Sequence, residues 1–184
     1  QLNLALNKCL QLHISLSTSV VTDSLLLYDN VLPSVKSCRD LGVEVDSKLI
    51  FTPHISAIIA KAHLKASQIL RCFLTRDPFI LTKAFITYVR PMLEYCSPVW
   101  SPSSIVYVNK LESVQRRFTK KLKGLNIMSY DERLDKLDIE RLELRRLHFD
   151  LITCFKILHK YVDLPAEDFF TRSNVSFTRG HSYK

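Results

Sequence analysis

Thr52-Pro53-His54-Ile55-Ser56-Ala57-Ile58-Ile59-Ala60-Lys61-Ala62-His63-Leu64-Lys65-Ala66-Ser67-Gln68-Ile69-Leu70-Arg71-Cys72-Phe73 is the stretch on which the reading of this chain turns. Ile55, Ile58, Ile59, Ala62, Ala66, Ile69, Leu70 and Phe73 recur at three- and four-residue spacing. That spacing draws one apolar stripe along about five turns of α-helix. Lys61, Lys65, Gln68 and Arg71 fall largely off it. Thr52 is placed to cap the helix, with Pro53 at its first position.

Upstream of this stretch the period is two. In Cys9-Leu10-Gln11-Leu12-His13-Ile14-Ser15-Leu16, the residues Leu10, Leu12, Ile14 and Leu16 share one face of a strand. Leu25-Leu26-Leu27-Tyr28, the turn pair Asp29-Asn30 and Val31-Leu32 predict a tight hairpin, which Pro33 limits to a sheet edge. Leu41-Gly42-Val43-Glu44-Val45-Asp46 reads as a further strand, with Gly42 marking a bulge or a close backbone approach.

Downstream the helical period continues. Asp77-Pro78 opens a second helix with Leu81, Ala84, Phe85, Tyr88 and Val89 on its stripe, ended or kinked by Pro91. Trp100-Ser101-Pro102-Ser103-Ser104 is a break. A third helix is expected from about Ile105 to Lys123, with Val108, Leu111, Phe118 and Leu122 inward and Gly124 as its stop. Ser129-Tyr130-Asp131-Glu132 fits a capping box. A long helix is expected from about Ile139 to Tyr161, with Leu144, Leu147, Leu151, Phe155 and Leu158 as its core face. The expected fold class is α+β: a small antiparallel β unit followed by a mainly α-helical bundle. It divides into a β region at 1–51, a basic helical region at 52–128, a C-terminal helical region at 129–170 and a polar, poorly ordered tail at 171–184.

Of 184 residues, 47% are hydrophobic and 24% charged, an ordinary globular composition. The net charge is +8, and it is concentrated. Residues 1–51 carry 4 basic and 5 acidic side chains, residues 52–128 carry 12 and 3, and residues 129–184 carry 10 of each. The whole positive excess therefore sits in the middle segment, the pattern of a local polyanion footprint. No apolar run approaches the ~20 residues of a membrane span. No basic head and clean apolar run begins the chain, so a signal peptide is not expected. Cys9, Cys38, Cys72, Cys96 and Cys154 are widely spaced and never form a CxxC pair. They read as reduced, mostly buried thiols of an intracellular protein, in the nucleus or cytoplasm.

No glycine-rich phosphate loop, GxSxG, HExxH or adjacent Asp pair is present. The acidic residues of the β segment, Asp23, Asp29, Asp40, Glu44 and Asp46, read as turn and strand-end charges, and no metal or cofactor site is expected. The informative cluster is on the third helix, where Lys110, Arg116, Arg117, Lys120, Lys121 and Lys123 face Glu112 alone. Arg116 with Lys120, and Arg117 with Lys121, repel at i, i+4 unless an anion lies between them. Phosphates would supply that anion; a solvated helix face is the other reading. The flanking aromatics Phe85, Tyr88, Tyr95, Trp100, Tyr107 and Phe118 could stack on bases, but most have core spacing. His63 and His148 read as structural or solvent-facing.

Several ordered segments resemble the C-terminal part of a non-LTR retrotransposon (LINE-type) reverse transcriptase. Gln1-Leu2-Asn3-Leu4-Ala5-Leu6-Asn7-Lys8-Cys9 with Leu12-His13-Ile14 resembles the segment after that family's catalytic motif, although Ala5 stands where the family has Asn. Asp40-Leu41-Gly42-Val43-Glu44-Val45-Asp46, with Leu49, Phe51, His54 and Ile55, resembles its Leu-Gly hairpin and the start of its thumb. Tyr88-Val89-Arg90-Pro91-Met92-Leu93-Glu94-Tyr95-Cys96-Ser97-Pro98-Val99-Trp100 is the most specific match, followed by Leu111-Glu112-Ser113-Val114-Gln115-Arg116-Arg117-Phe118.

The resemblance, over about residues 1–160, implies the end of a palm, a primer-grip hairpin and a thumb. It places Gly42 near a primer strand and makes Lys8 a candidate general acid, though Lys8 also reads as an exposed strand-start residue. The implied partner is an RNA–DNA hybrid, or an RNA template with a DNA primer, held through phosphates and shape. The family's Tyr-x-Asp-Asp segment and endonuclease are expected upstream of Gln1, with Mg2+ belonging to that parent polymerase. This chain alone is then expected to bind duplex without synthesising DNA. The other reading is a decayed or co-opted, non-catalytic helical module for protein contacts.

Overall fold

Strand pairing in the first fifty residues is short, and only its last hairpin reaches the core. The computed structural model describes residues 4–15 and 24–171. Leu16 of the expected alternating strand, Asp23 and the expected tail from 172 onward lie outside the described residues. A 3-10 turn at Leu6–Lys8 precedes β1 (Gln11–Leu12). β2 (Leu26–Leu27) and β3 (Asn30–Val31) form the expected hairpin. Its turn is Tyr28-Asp29, one residue before the expected pair, and both residues take positive φ. Such a turn matches the right-handed strand twist.

β4 (Ser34–Val35) pairs with β1 in parallel, so the β region is not purely antiparallel. The alternation across Leu10, Leu12 and Ile14 does not build a buried face. Leu10 and Ile14 are exposed, because β1 has only one two-residue partner and no layer beneath it.

β5 (Ser37–Asp40) and β6 (Val43–Asp46) pair in register from Ser37 opposite Asp46 to Asp40 opposite Val43. Leu41-Gly42 is their two-residue turn, with φ of 43° and 91°. Gly42 is therefore at a hairpin tip and not inside a strand, and its positive φ explains the glycine. Among the described residues of this region, Val43 is the one side chain buried in the main core.

Seven helices follow among the described residues: α1 (Thr52–Cys72), α2 (Pro78–Tyr88), α3 (Arg90–Glu94), α4 (Ser97–Trp100), α5 (Ile105–Lys120), α6 (Tyr130–Leu137) and α7 (Leu142–Leu158). The chain is α+β. The stripes expected for α1, α2 and α5 face inward: Ile55, Ala62, Ala66 and Ile69 meet Leu81, Phe85, Leu111 and Phe118 in one buried cluster. The Phe85 and Phe118 rings pack at 4.6 Å between centroids. That cluster runs from Val43 to Leu142 and draws on all three charge segments. Tyr88 is exposed, and α2 breaks at Val89 before Pro91.

Side-chain caps set the starts of two helices. Asp77 accepts from the N–H groups of Phe79 and Ile80 at 2.7 and 3.1 Å. Ser129 and Glu132 form the capping box reciprocally. α1 differs from expectation. Phe51 holds the cap position in the left-handed region, no side chain caps the helix, and Thr52 is already its first helical residue. α5 ends at Lys120, three residues short of the expected Lys123, and Gly124 takes φ 77° in the turns that follow instead of stopping the helix.

The expectation for α7 is overturned. Leu144, Leu147, Leu151 and Phe155 are exposed and Leu158 is half-buried, while Leu142, Arg146 and Ile157 turn inward. Leu142, Arg146, Phe149, Thr153 and Ile157 form a second stripe at the same period, on the opposite side. Periodicity cannot rank two opposed stripes. Here the less apolar one docks on the core, because α7 is held at its first turn by a buried carboxylate of α5. The five cysteines are free, as expected, but none is fully buried and Cys72 is exposed. None of the helices among the described residues is long and apolar enough to cross a membrane.

Candidate nucleic-acid interface

α1 and α5 lie side by side because Ala62 and Ala66 present almost no side-chain bulk to Leu111, Val114 and Phe118. Their rims diverge and leave a furrow of about 400 Å3. His63, Ser67 and Leu70 line it from α1, and Arg117, Lys120 and Lys121 from the end of α5. It runs on into a second concavity of about 350 Å3, which shares Ser67, Leu70 and Lys121 and adds Arg71, Arg76 and Lys123. Among the described residues, no carboxylate lines either concavity. Apolar walls with only positive rims hold and focus a field that attracts anions.

The three carboxylates of residues 52–128 are all engaged elsewhere. Asp77 caps α2. Glu94 takes Arg145 at 2.5 Å and lies 3.8 Å from Arg90. Glu112 is 3% exposed and accepts from the Tyr130 hydroxyl and from the N–H groups of Leu142 and Glu143. Among the described residues, Arg71, Arg117, Lys120, Lys121 and Lys123 form no ion pair with a carboxylate. The positive charge of the furrow thus has no carboxylate countercharge among the described residues. His63 reports it: burial lowers its pKa first, then the charges of Arg117 and Lys121.

Of the residues singled out from sequence, Arg117, Lys120, Lys121 and Lys123 come together at the furrow. Lys110 is exposed about two turns before Arg117 on the same side of α5, with Nζ 5.0 Å from the Tyr107 ring centre, and does not line the furrow. Arg116 does not join them. It is half-buried with its guanidinium 5.0 Å over the Tyr130 ring, on another side of α5. Arg116 and Lys120 remain i, i+4 neighbours on α5, but Arg116 packs on Tyr130 of α6 while Lys120 lines the furrow. Lys8 is exposed at the end of its 3-10 turn and lines neither concavity. Arg76 and Ser67 join the site without any expectation from sequence, His63 joins it although read from sequence as structural or solvent-facing, and Arg71 joins with only its place off the α1 stripe. The signal for Arg71 is that position, within the basic segment. Arg76 is held by its guanidinium on the carbonyls of Leu70 and Phe73, which no pattern predicts.

Gly42 lies in a separate cleft of about 600 Å3 between the β5–β6 tip, α1 and α3, lined among others by Arg39, Lys61, Met92 and Tyr95. A Cβ on Gly42 would sit 3.5 Å from the Tyr95 ring, and the Tyr95 hydroxyl donates to the Leu41 carbonyl at 2.9 Å. His54 ties the hairpin to α1: its Nδ1 accepts from the Glu44 N–H at 3.2 Å, and its ring meets Trp100 edge-on at 5.5 Å. Burial is the main cause of its lowered pKa. The imidazolium is thus disfavoured in the fold, and the unfolded chain binds the extra proton. Stability from His54 is full above about pH 6.5 and is lost as pH falls from there through the lowered folded value. Urea midpoints measured from pH 7.5 down to 5 will fall, and His54→Gln will flatten that fall; a parallel slope in the variant would remove His54 as its source.

Among the described residues, no three His, Cys, Asp or Glu side chains come together to hold a metal ion.

Over 130 residues, 69% of its length, the chain is 31% identical to the uncharacterized protein B0403.1 of Caenorhabditis elegans. The match spans 66% of that protein. No family profile matches the chain, and no solved structure matches it.

Proposed function

We propose that this chain is the thumb-side portion of a non-LTR retrotransposon-type reverse transcriptase, and that its work is to hold a template–primer duplex by its phosphates. The observation that carries this reading is the furrow between α1 and α5, rimmed by Arg71, Arg117, Lys120, Lys121 and Lys123 and lined by no carboxylate. A cluster of like charges, with every carboxylate of its segment engaged elsewhere, costs folding energy that a bound polyanion returns. Nothing in such a furrow distinguishes bases, so duplex shape and charge would be read. Arg116 drops out of the interface under this reading.

The test is fluorescence anisotropy of an RNA–DNA hybrid with the chain across a salt series. Affinity should fall steeply with salt. Arg117→Ala/Lys120→Ala/Lys121→Ala should lower the slope of log K against log salt by roughly two to three units, about one for each phosphate no longer neutralised. A folded triple variant with the wild-type slope would refute the reading.

A further inference from the structure

We propose that the outer face of α7, together with the acidic concavity at its N-terminal end, docks a basic amphipathic helix of a protein partner. Two observations meet at Leu144. The first is apolar: Leu147, Leu151 and Phe155 are 51%, 57% and 53% exposed, and with Leu144 they form a single stripe. The stripe spans about 17 Å, three helical turns. This is the more apolar of the two faces of α7, and the fold leaves it outside. At its far end Phe155 packs on His159 at 4.1 Å and lies 6.1 Å from Tyr161, an exposed aromatic cluster of the kind that anchors interfaces.

The second observation is electrostatic. A concavity of about 580 Å3 opens where α6 runs into α7, and Leu144 is part of its wall. Asp131, Asp135, Asp138 and Glu140 line it with Arg141, and Arg145 approaches Glu140 at 3.6 Å, so Asp135 and Asp138 are the carboxylates left without an ion pair among the described residues. Arg141 is already taken by Asp131 at 2.5 Å. The surface is thus an apolar ridge ending in negative charge.

Such a surface fits a helix with an apolar stripe of matching length and Lys or Arg at one end. Its charge is opposite in sign to that of the furrow, so it repels the polyanion that the furrow attracts. The acidic end likewise disfavours an anionic membrane. The two surfaces are lined by different residues, and the second does not depend on the first.

The probe is a fluorescent synthetic helix of roughly 16 residues, with Leu at i, i+3, i+4, i+7 and i+11 and three Lys at one end. Anisotropy with the full chain should show binding at least about tenfold tighter than for the same peptide with Glu in place of Lys. Leu147→Glu/Leu151→Glu, at exposed positions, should abolish binding, and Asp135→Lys should weaken it about tenfold. Circular dichroism and hybrid binding, read on the same samples, should stay unchanged, which separates this proposal from the furrow's. Absence of binding, or equal binding to the Leu147→Glu/Leu151→Glu variant, would overturn the proposal. So would sedimentation showing that this face pairs with a second copy of the chain, or phosphatidylserine vesicles capturing the chain through it.

Discussion

Glu112→Ala will lower the unfolding free energy by about 3–5 kcal/mol, the range for breaking a buried charged network. α7 begins without a local cap: Arg141 holds the cap position and contributes no side-chain hydrogen bond. The N–H groups of Leu142 and Glu143 would be orphaned in a buried place. Glu112, thirty residues earlier on α5, accepts from both at 3.3 and 3.2 Å. Its negative charge also sits at the positive end of the α7 dipole. The same carboxylate takes the Tyr130 hydroxyl, whose pKa is pushed up by burial and then by Glu112. Gln115 Nε2 completes the set, donating to the Tyr130 oxygen at 3.1 Å and to the Glu140 carbonyl at 2.9 Å.

Truncation therefore strands three donors at once. Glu112→Gln keeps the shape and one acceptor and should cost about 1–2 kcal/mol, as should Tyr130→Phe. Urea denaturation gives all three numbers. A loss below about 1 kcal/mol for Glu112→Ala would mean that α7 is seated by packing alone.

This network also marks where sequence reading stops. The period of α1, the Asp77-Pro78 start of α2 and the Ser129–Glu132 capping box are local, and each is built as its residues predict. In sequence, Glu112 looks like a lone counter-charge among bases. Its actual partners are thirty residues away, and only tertiary packing brings them together. The same holds for α7, whose seating depends on that carboxylate and not on its own most apolar stripe. The furrow is half legible. Arg117, Lys120, Lys121 and Lys123 follow from charge density along α5 and the turn that continues it. Arg71, Arg76 and His63 need the side-by-side placement of α1 and α5, which no spacing along the chain encodes. Lys8 and Gly42 rest on resemblance, and the structure places neither in the furrow.

Arg116 and Arg117 are adjacent in sequence and identical in kind, and they should separate cleanly in experiment. Arg117→Glu/Lys121→Glu will weaken binding of an RNA–DNA hybrid on the order of 100-fold at moderate salt while leaving stability within about 0.5 kcal/mol of wild type. Both side chains are exposed, neither pairs with a carboxylate among the described residues, and both rim the furrow. Reversal removes two counterion-releasing groups and adds repulsion. It also removes the two positive charges beside His63, so stability can rise slightly.

Arg116→Ala should do the opposite. Its guanidinium lies over Tyr130, which Arg133 and Arg141 also approach, at 5.5 and 5.9 Å. Removing a partly desolvated cation–π interaction and the packing of the Arg116 stem should cost about 1–2 kcal/mol of stability. Hybrid affinity should change less than about threefold, since Arg116 lines no part of the furrow. Anisotropy and urea unfolding on both variants decide the matter. If Arg116→Ala weakens binding as much as Arg117→Glu/Lys121→Glu, the polyanion lies across the whole circumference of α5, and the furrow is not its seat.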